Sequence, residues 1–211
     1  MKILISIDDG CKLDVRVAEL LDKYNLPAIF YIPVMWESYN RSKGWEGLSY
    51  DDVMSISNRF DIGSHSITHA LLTKVPSAVA DFEIIESKTM LQQAIGKEVT
   101  SFCYPRGYAN EHHKAIVRRV YDTGRSVIVG AVEEGDDPAF QPVSVHACCE
   151  RKEYFGEHWL DYGRKKIHEA QRKPVTGYFH LMCHSWEIEK NDGWKHFELF
   201  LAELASENTS R

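Results

Sequence analysis

Three short stretches of this chain and one isolated histidine carry residue types suited to hydrolytic chemistry. Asp8-Asp9-Gly10 sets two carboxylates side by side, and Ser64-His65-Ser66-Ile67-Thr68-His69 spaces two imidazoles four residues apart. Tyr104-Pro105-Arg106-Gly107 is a turn bearing a guanidinium, and His184 closes the apolar run Leu181-Met182-Cys183. Histidines at i and i+4 lie one helical turn apart, so both rings can face one ion, and a carboxylate from elsewhere completes a facial set of three ligands. Neighbouring carboxylates repel, and a cation beside them keeps both ionised near neutral pH. One of Asp8 and Asp9 can then bind metal while the other, directed elsewhere, stays free as a base. Taken singly, each stretch has a plainer explanation. Asp-Asp-Gly commonly ends a strand with the glycine at positive φ, paired histidines serve surfaces and cores, and Pro-Arg-Gly is a turn.

What argues for a site is where these residues fall among the elements. Val/Ile/Phe-rich runs predict strands at 2–7, 28–34, 60–63, 100–104, 126–132, 143–148 and 177–183. Helical periods predict helices at 13–24, at 50–59 behind a Ser49 cap, at 77–95 stopped by Gly96, at 110–123 stopped by Gly124, at 157–173 and at 193–206. Such alternation means βα units and a mostly parallel sheet, either open or closed into a barrel. Neither a G-x-G-x-x-G nor a G-x-x-x-x-G-K-[ST] phosphate loop occurs, which favours a barrel. At 211 residues the chain is near the lower limit for eight strands, so the expected fold is α/β, a distorted (β/α) barrel of seven or so parallel strands. The reactive groups all follow predicted strands, and the carboxyl ends of parallel strands converge on one face.

Composition narrows the partners. The 25 Lys and Arg against 31 Asp and Glu give a formal charge of -6, with no basic block, which argues against nucleic acid. No apolar run approaches the roughly 18 residues of a membrane helix. The N-terminal run Met1 to Ile7 is too short for a signal peptide and meets Asp8-Asp9 at once, so it reads as a strand. Five cysteines, an odd number with Cys148 and Cys149 adjacent and no C-x-x-C, suggest reduced thiols and a cytoplasmic setting. No linker or repeat interrupts the chain, so residues 1–211 are expected to form one domain. Oligomeric state leaves no mark on this sequence.

The constellation resembles the polysaccharide deacetylase family, the NodB-homology carbohydrate esterases. Ser6-Ile7-Asp8-Asp9-Gly10 is similar to the family's T-F-D-D-G, and His65-Ser66-Ile67-Thr68-His69 to its H-[ST]-x-x-H. The resemblance implies a distorted β/α barrel, Asp8 as catalytic base, and Asp9, His65 and His69 as ligands of a divalent metal, Zn²⁺ foremost with Co²⁺ or another ion as alternatives. The third family motif, R-x-P-[aromatic]-G, is kept only in part, with Cys103 where the family often has Arg and Arg106 where it has an aromatic. The turn Tyr104-Pro105-Arg106-Gly107 is then expected to face substrate, the Arg106 N–H serving as oxyanion donor and its guanidinium reaching an acidic group on substrate. Leu181-Met182-Cys183-His184 resembles the last motif, implying His184 as general acid, and it continues unusually as Ser185-Trp186-Glu187. No fourth motif is visible, which leaves the support of Asp8 to Glu133, Glu134 or His146.

The implied reaction is hydrolysis of an N-acetyl group from an amino sugar or a glycan containing one, releasing acetate. His146, Trp186 and Glu187 are further candidates for substrate contact, as is His180 at a strand end, while Trp36 and Trp45 join Trp186 as surfaces for a pyranose ring. The short chain leans towards a small N-acetylated sugar over a polymeric wall. Three rivals stand beside this reading: hydrolysis of another C–N amide on the same fold, a degenerate carbohydrate-binding domain, and a non-haem iron oxygenase with its two-His-one-carboxylate set. The last usually has H-x-[DE] spacing and an all-β fold, both missing here.

Overall fold

A computed structural model describes residues 1–173 and 175–209. Its strands are β1 (Lys2–Asp8), β2 (Ile29–Ile32), β3 (Asp61–Ser64), β4 (Ser101–Cys103), β5 (Thr123–Arg125), β6 (Val145–His146) and β7 (Tyr178–Cys183). All pair in parallel in the order β5-β4-β3-β2-β1-β7-β6, so the first and last strands in sequence are neighbours and β5 and β6 are the edges. The helices are α1 (Asp14–Lys23), α2 (Trp36–Ser42), α3 (Tyr50–Ser57), α4 (Ser77–Ile95), α5 (Glu111–Val120), α6 (Trp159–Gln171), α7 (Ser185–Lys190) and α8 (Trp194–Thr209). The expected distorted (β/α) barrel of seven parallel strands is what the chain forms. Its sheet curls without closing strand to strand: between β5 and β6 an irregular segment supplies the bonds, with Gln141 N–H donating to Gly124 O at 2.7 Å and Ser144 N–H to His180 O at 2.9 Å.

The period-two alternation of strands sorts side chains into two layers. Ile5, Ile7, Phe30, Phe102, Phe179 and Leu181 belong to the buried apolar cluster packed beneath the helices. Residues offset by one point to the barrel interior, which is polar: Ser6, Tyr31, Arg125, Tyr178 and His180 are all buried there. His180 bonds Ser6 Oγ and Tyr178 Oη, both at 2.8 Å, and so supports the interior instead of facing substrate. Continuing the interior rows by two residues leads to the strand ends: Ser6 to Asp8, Gly63 to His65, Met182 to His184.

Local signals set most helix ends. Ser49 and Asp52 make a reciprocal capping box on α3, and Gly96 ends α4 in the left-handed region at φ +67°. Three predicted elements differ. The helix expected at 110–123 ends at Val120, and Thr123–Arg125 is β5; the strand expected at 126–132 is irregular, and that at 143–148 shrinks to Val145–His146. The reason is that β5 exposes polar Arg125 to the barrel interior and lacks the apolar alternation that marks a strand. Gly124 is therefore a close-packing residue and not a helix stop: a Cβ there would lie 2.2 Å from the Ala139 carbonyl oxygen. Gly124→Val should destabilise the fold by about 1–3 kcal/mol or more through backbone overpacking. A urea midpoint unchanged from the parent would contradict this packing role.

Candidate active site

At the carboxyl ends of the strands lies an open cavity of about 1150 Å³ whose wall includes Asp8, Asp9, His65, His69, Arg106 and His184. The Asp-Asp-Gly turn that opens it is tightly wound, with Asp9 at φ +86° and Gly10 at φ +66°. Asn40 of α2 pins the turn from below, its amide donating to the Asp9 and Gly10 carbonyls at 2.8 and 3.1 Å. Winding the backbone this way sends the two carboxylates in different directions.

Asp9 turns towards the histidines. Its Oδ2 accepts from the Trp186 indole N–H at 3.0 Å, whereas its buried Oδ1 has no hydrogen-bond partner. That oxygen lies 3.6 Å from His65 Nε2 and 3.4 Å from His69 Nε2. The two rings do not converge through a helical turn, as the spacing predicts. Residues 65–69 form a loop in which Ser66 and His69 take left-handed backbone at φ +65° and +59°. Glu83 of α4 holds this loop, accepting from Ile67 N–H, Thr68 N–H and Thr68 Oγ1 at 2.8, 2.9 and 2.6 Å. His65 Nδ1–H donates to the Cys103 carbonyl at 2.7 Å, which turns the Nε2 lone pair towards Asp9. Burial pushes both imidazoles down, His69 to about 3, so both are neutral and able to ligate.

These observations fit a divalent ion. An acceptor-only carboxylate oxygen and two neutral imidazole nitrogens face one another with no proton between them. Three ligand atoms each about 2.1 Å from a tetrahedral ion would stand roughly 3.4 Å apart, close to the separations seen. A second nearby cluster, Asp8 with His65 and Cys103, does not fit, because a guanidinium already occupies it.

That guanidinium belongs to Arg125, which sequence reading misses. Arg125 and Asp8 form a fully buried ion pair, both carboxylate oxygens accepting from Nη2. Cys103 of β4 sits directly opposite Arg125 in the β4–β5 register, and its Sγ lies 2.9 Å from Nη2. A cation absent from position 103 thus arrives from the next strand, across a side chain small enough to let it through. Burial raises the Asp8 carboxyl, but Arg125, with His65 and His184, outweighs it and brings it down to about 2. Burial drives the Cys103 thiol well up, so it stays neutral. The register partner at Cys103 is the signal that pairs with the missing arginine, and it becomes readable only once the strands are aligned. Glu133, Glu134 and His146 are not the support: Glu133 pairs with Lys173, Glu134 with Lys2, and His146 with Glu187.

Across the cavity His184 Nε2 lies 3.9 Å from Asp8 Oδ2 and 3.8 Å from Asp9 Oδ2. Its Nδ1–H donates to Glu187 Oε2 at 2.7 Å, one turn along α7, and His146 Nε2–H donates to the same oxygen at 2.6 Å. Burial lowers the His184 pKa, but Asp9, Glu187 and Asp8 prevail and raise it to about 9. Burial pushes Glu187 up, and the two imidazoles hold it well below the usual carboxylate range. Glu187 and His146 thus stand behind His184, as groups that orient it.

The remaining predicted contacts divide. Trp45 and Trp186 line the cavity with ring centroids 6.4 Å apart, and Gly107 lines it too. Trp36 does not, its indole N–H donating to the Leu48 carbonyl at 2.8 Å beneath the site. Tyr104 is a core residue, fully buried beside Phe102 and Phe140, and Pro105 is buried in the turn; neither is a cavity wall. Arg106 holds φ +59° and points its exposed side chain along the cavity.

Residues 1–122, more than half of the chain, match the family model for polysaccharide deacetylase. The chain belongs to the polysaccharide deacetylase family. A comparison with curated protein sequences finds no match. Among solved structures, a Streptococcus pyogenes deacetylase in complex with acetate is 17% identical with a TM-score of 0.59, over 65% of this chain and 61% of that one. A Mycobacterium smegmatis protein provisionally assigned as a polysaccharide deacetylase is 13% identical with a TM-score of 0.68, over 96% of this chain and 84% of that one. A pseudoenzyme of the same carbohydrate esterase family from Bacillus anthracis is 15% identical with a TM-score of 0.56, over 94% and 59% of the two chains. At these identities the likeness is one of fold, and the chain spans about three fifths of the streptococcal protein.

Two substitutions separate the supports of this site. Arg125→Met strands the Asp8 carboxylate in the barrel interior and should destabilise the protein by about 3–5 kcal/mol, read by urea unfolding. Glu83→Ala should weaken zinc binding by about 10- to 100-fold in a chelator competition, with Glu83→Gln closer to the parent because its amide oxygen still accepts the loop N–H groups.

Proposed function

We propose that the chain is a metal-dependent hydrolase that removes the N-acetyl group of an amino sugar or an amino-sugar conjugate. The observation that carries this reading is the division of labour between two adjacent carboxylates. Asp9 faces two neutral imidazoles with an unpartnered oxygen, while Asp8 is tied to Arg125 and opposed by His184. An ion held by Asp9, His65 and His69, with zinc best matched to the N₂O donor set, supplies Lewis-acid polarisation and a water of lowered pKa.

The protein's own groups account for the proton movements. Asp8, ionised at any working pH, accepts a proton from the attacking water as its oxygen bonds to the acetyl carbon. His184 carries a proton at Nε2 aimed into the cavity, and Glu187 on Nδ1 keeps it there. The C–N bond breaks as that proton passes to the leaving nitrogen, giving acetate and a free amine. Arg106 supplies its backbone N–H to the developing oxyanion, and Trp45 and Trp186 offer an aromatic wall to one face of the sugar ring.

The test combines elemental analysis of protein purified without chelator with acetate release from N-acetylhexosamines and their conjugates. About one ion per chain and metal-dependent acetate release are expected. Bound metal with no acetate from any acetamido sugar would overturn the substrate assignment. Asp8→Asn and His184→Ala should each cost roughly 100- to 10,000-fold in kcat while metal content is kept. His65→Ala should lose metal and activity together, and full metal content in that variant would refute the ligand set.

A further inference from the structure

The cavity mouth carries charge of the opposite sign to the protein. The chain has a formal charge of -6, and half of its lysines pair with acids, among them Lys2 with Glu134, Lys12 with Asp52, Lys23 with Glu198, Lys165 with Glu157 and Lys173 with Glu133. Around the cavity cations without such partners gather in one place. Lys43, Arg106, Arg151 and Lys190 line it, and beyond the catalytic pair the one acidic residue in the wall is Glu153, 3.8 Å from Arg151. Among the described residues, Lys43, Arg106 and Lys190 have no carboxylate within ion-pair distance. The acids inside do not pair with these cations: Asp8 is matched by Arg125, and Asp9 accepts from the Trp186 indole and lies 3.8 Å from protonated His184.

The four cations come from separate elements that meet at the mouth. Lys43 follows α2, its Nζ 5.7 Å from the Tyr39 ring, which in turn stacks on His69 at 4.3 Å. Lys190 ends α7, one turn beyond Trp186. Arg106 lies in the turn after β4, and Arg151 is fixed by donating to the Val127 carbonyl at 2.9 Å. Lys43 and Lys190, both exposed, thus belong to the same segments as Trp45 and Trp186 and line the cavity beside the wall those indoles form. Like charges converge this way, without partners in an acidic protein, where a ligand brings the counter-charge.

We infer that the cavity mouth is a subsite for an anionic group, a carboxylate or a phosphate, carried by the substrate beyond its acetamido sugar ring. Lys43, Lys190 and the planar fork of Arg106 are the recognition groups, with Arg151 adding to the field. In placing the acetamide at Asp8 and Asp9, the inference rests on the deacetylase reading above.

The experiment uses the zinc-loaded full chain and four probes: N-acetylglucosamine, its neutral methyl glycoside, N-acetylglucosamine 6-phosphate and N-acetylmuramic acid. Kd is measured by calorimetry and kcat/KM by acetate release. At least one anionic probe should be preferred over the neutral ones by roughly 10- to 100-fold, as for one or two charge-assisted hydrogen bonds. The preference should shrink as salt is raised from about 50 to about 500 mM, and it should fall in Lys43→Gln/Lys190→Gln. Preference for the phosphate probe alone identifies a phosphoryl substituent, and for the muramic acid alone a carboxylate.

Equal kcat/KM for neutral and anionic probes would overturn the anion subsite and leave the deacetylase reading intact. A preference undiminished in Lys43→Gln/Lys190→Gln would also overturn it, by placing the anion on the metal. Selective anion binding that is salt-sensitive and lost in the variant, with no acetate released, would uphold the subsite and refute the deacetylase reading.

Discussion

The buried pair of Asp8 and Arg125 is the interaction on which the site depends. A carboxylate at the end of β1, about 1% exposed, survives as an anion only if a cation reaches it without water, and that cation must come through the barrel interior. Arg125 does so from the edge strand, which ties β5 to β1 across the full curl of the sheet. The polar interior follows from the same demand: the guanidinium stands 5.0 Å from the Tyr31 ring and donates to the Ser126 carbonyl. Gly124 beside it lets the Ala139 backbone and Val117 pack directly on the edge strand. Position 103 then cannot hold a large side chain, and Cys103 fills the space with a neutral thiol.

Strain concentrates around the same point. Asp9, Ser66, His69 and Arg106 all hold left-handed backbone, a conformation that non-glycine residues adopt at a cost of about 1–3 kcal/mol each. Asn40 and Glu83 maintain two of these turns through buried hydrogen bonds from helices outside the sheet. The rigid part of the centre is therefore its support. The ligand-facing atoms, above all Asp9 Oδ1, are left unsatisfied. His184 shows the complementary arrangement, with one nitrogen satisfied by Glu187 and the other turned to the cavity.

The family includes chains that keep the fold without the activity, as the Bacillus anthracis pseudoenzyme shows, so fold alone does not decide function. What distinguishes a working centre is whether each group has its partner. His65 has its Nδ1–H on the Cys103 carbonyl, which leaves Nε2 free to face Asp9, and His184 has an orienting carboxylate. Asp8 has a cation, although it comes from an unexpected strand.

Strand and helix alternation, the parallel sheet and the positions of Asp8, Asp9, His65, His69 and His184 at strand ends were all readable from the sequence, because they depend on local periodicity and short spacing. So were the Ser49 cap, the Gly96 stop and the positive φ of Gly10. The polar strand Thr123–Arg125 was not, since its burial comes from the curl of the sheet and leaves no apolar pattern. Arg125, Asn40 and Glu83 act across 117, 31 and about 16 residues of chain, and no spacing rule links them to their partners. Tyr104 looked like a substrate contact because its motif did, whereas strand alternation put its ring into the core. The sequence by itself determined which groups could do chemistry. The motif resemblance already implied that Asp9 and not Asp8 faces the histidines; only tertiary structure decided which cation answers Asp8, because that outcome depends on which side chains share a strand register.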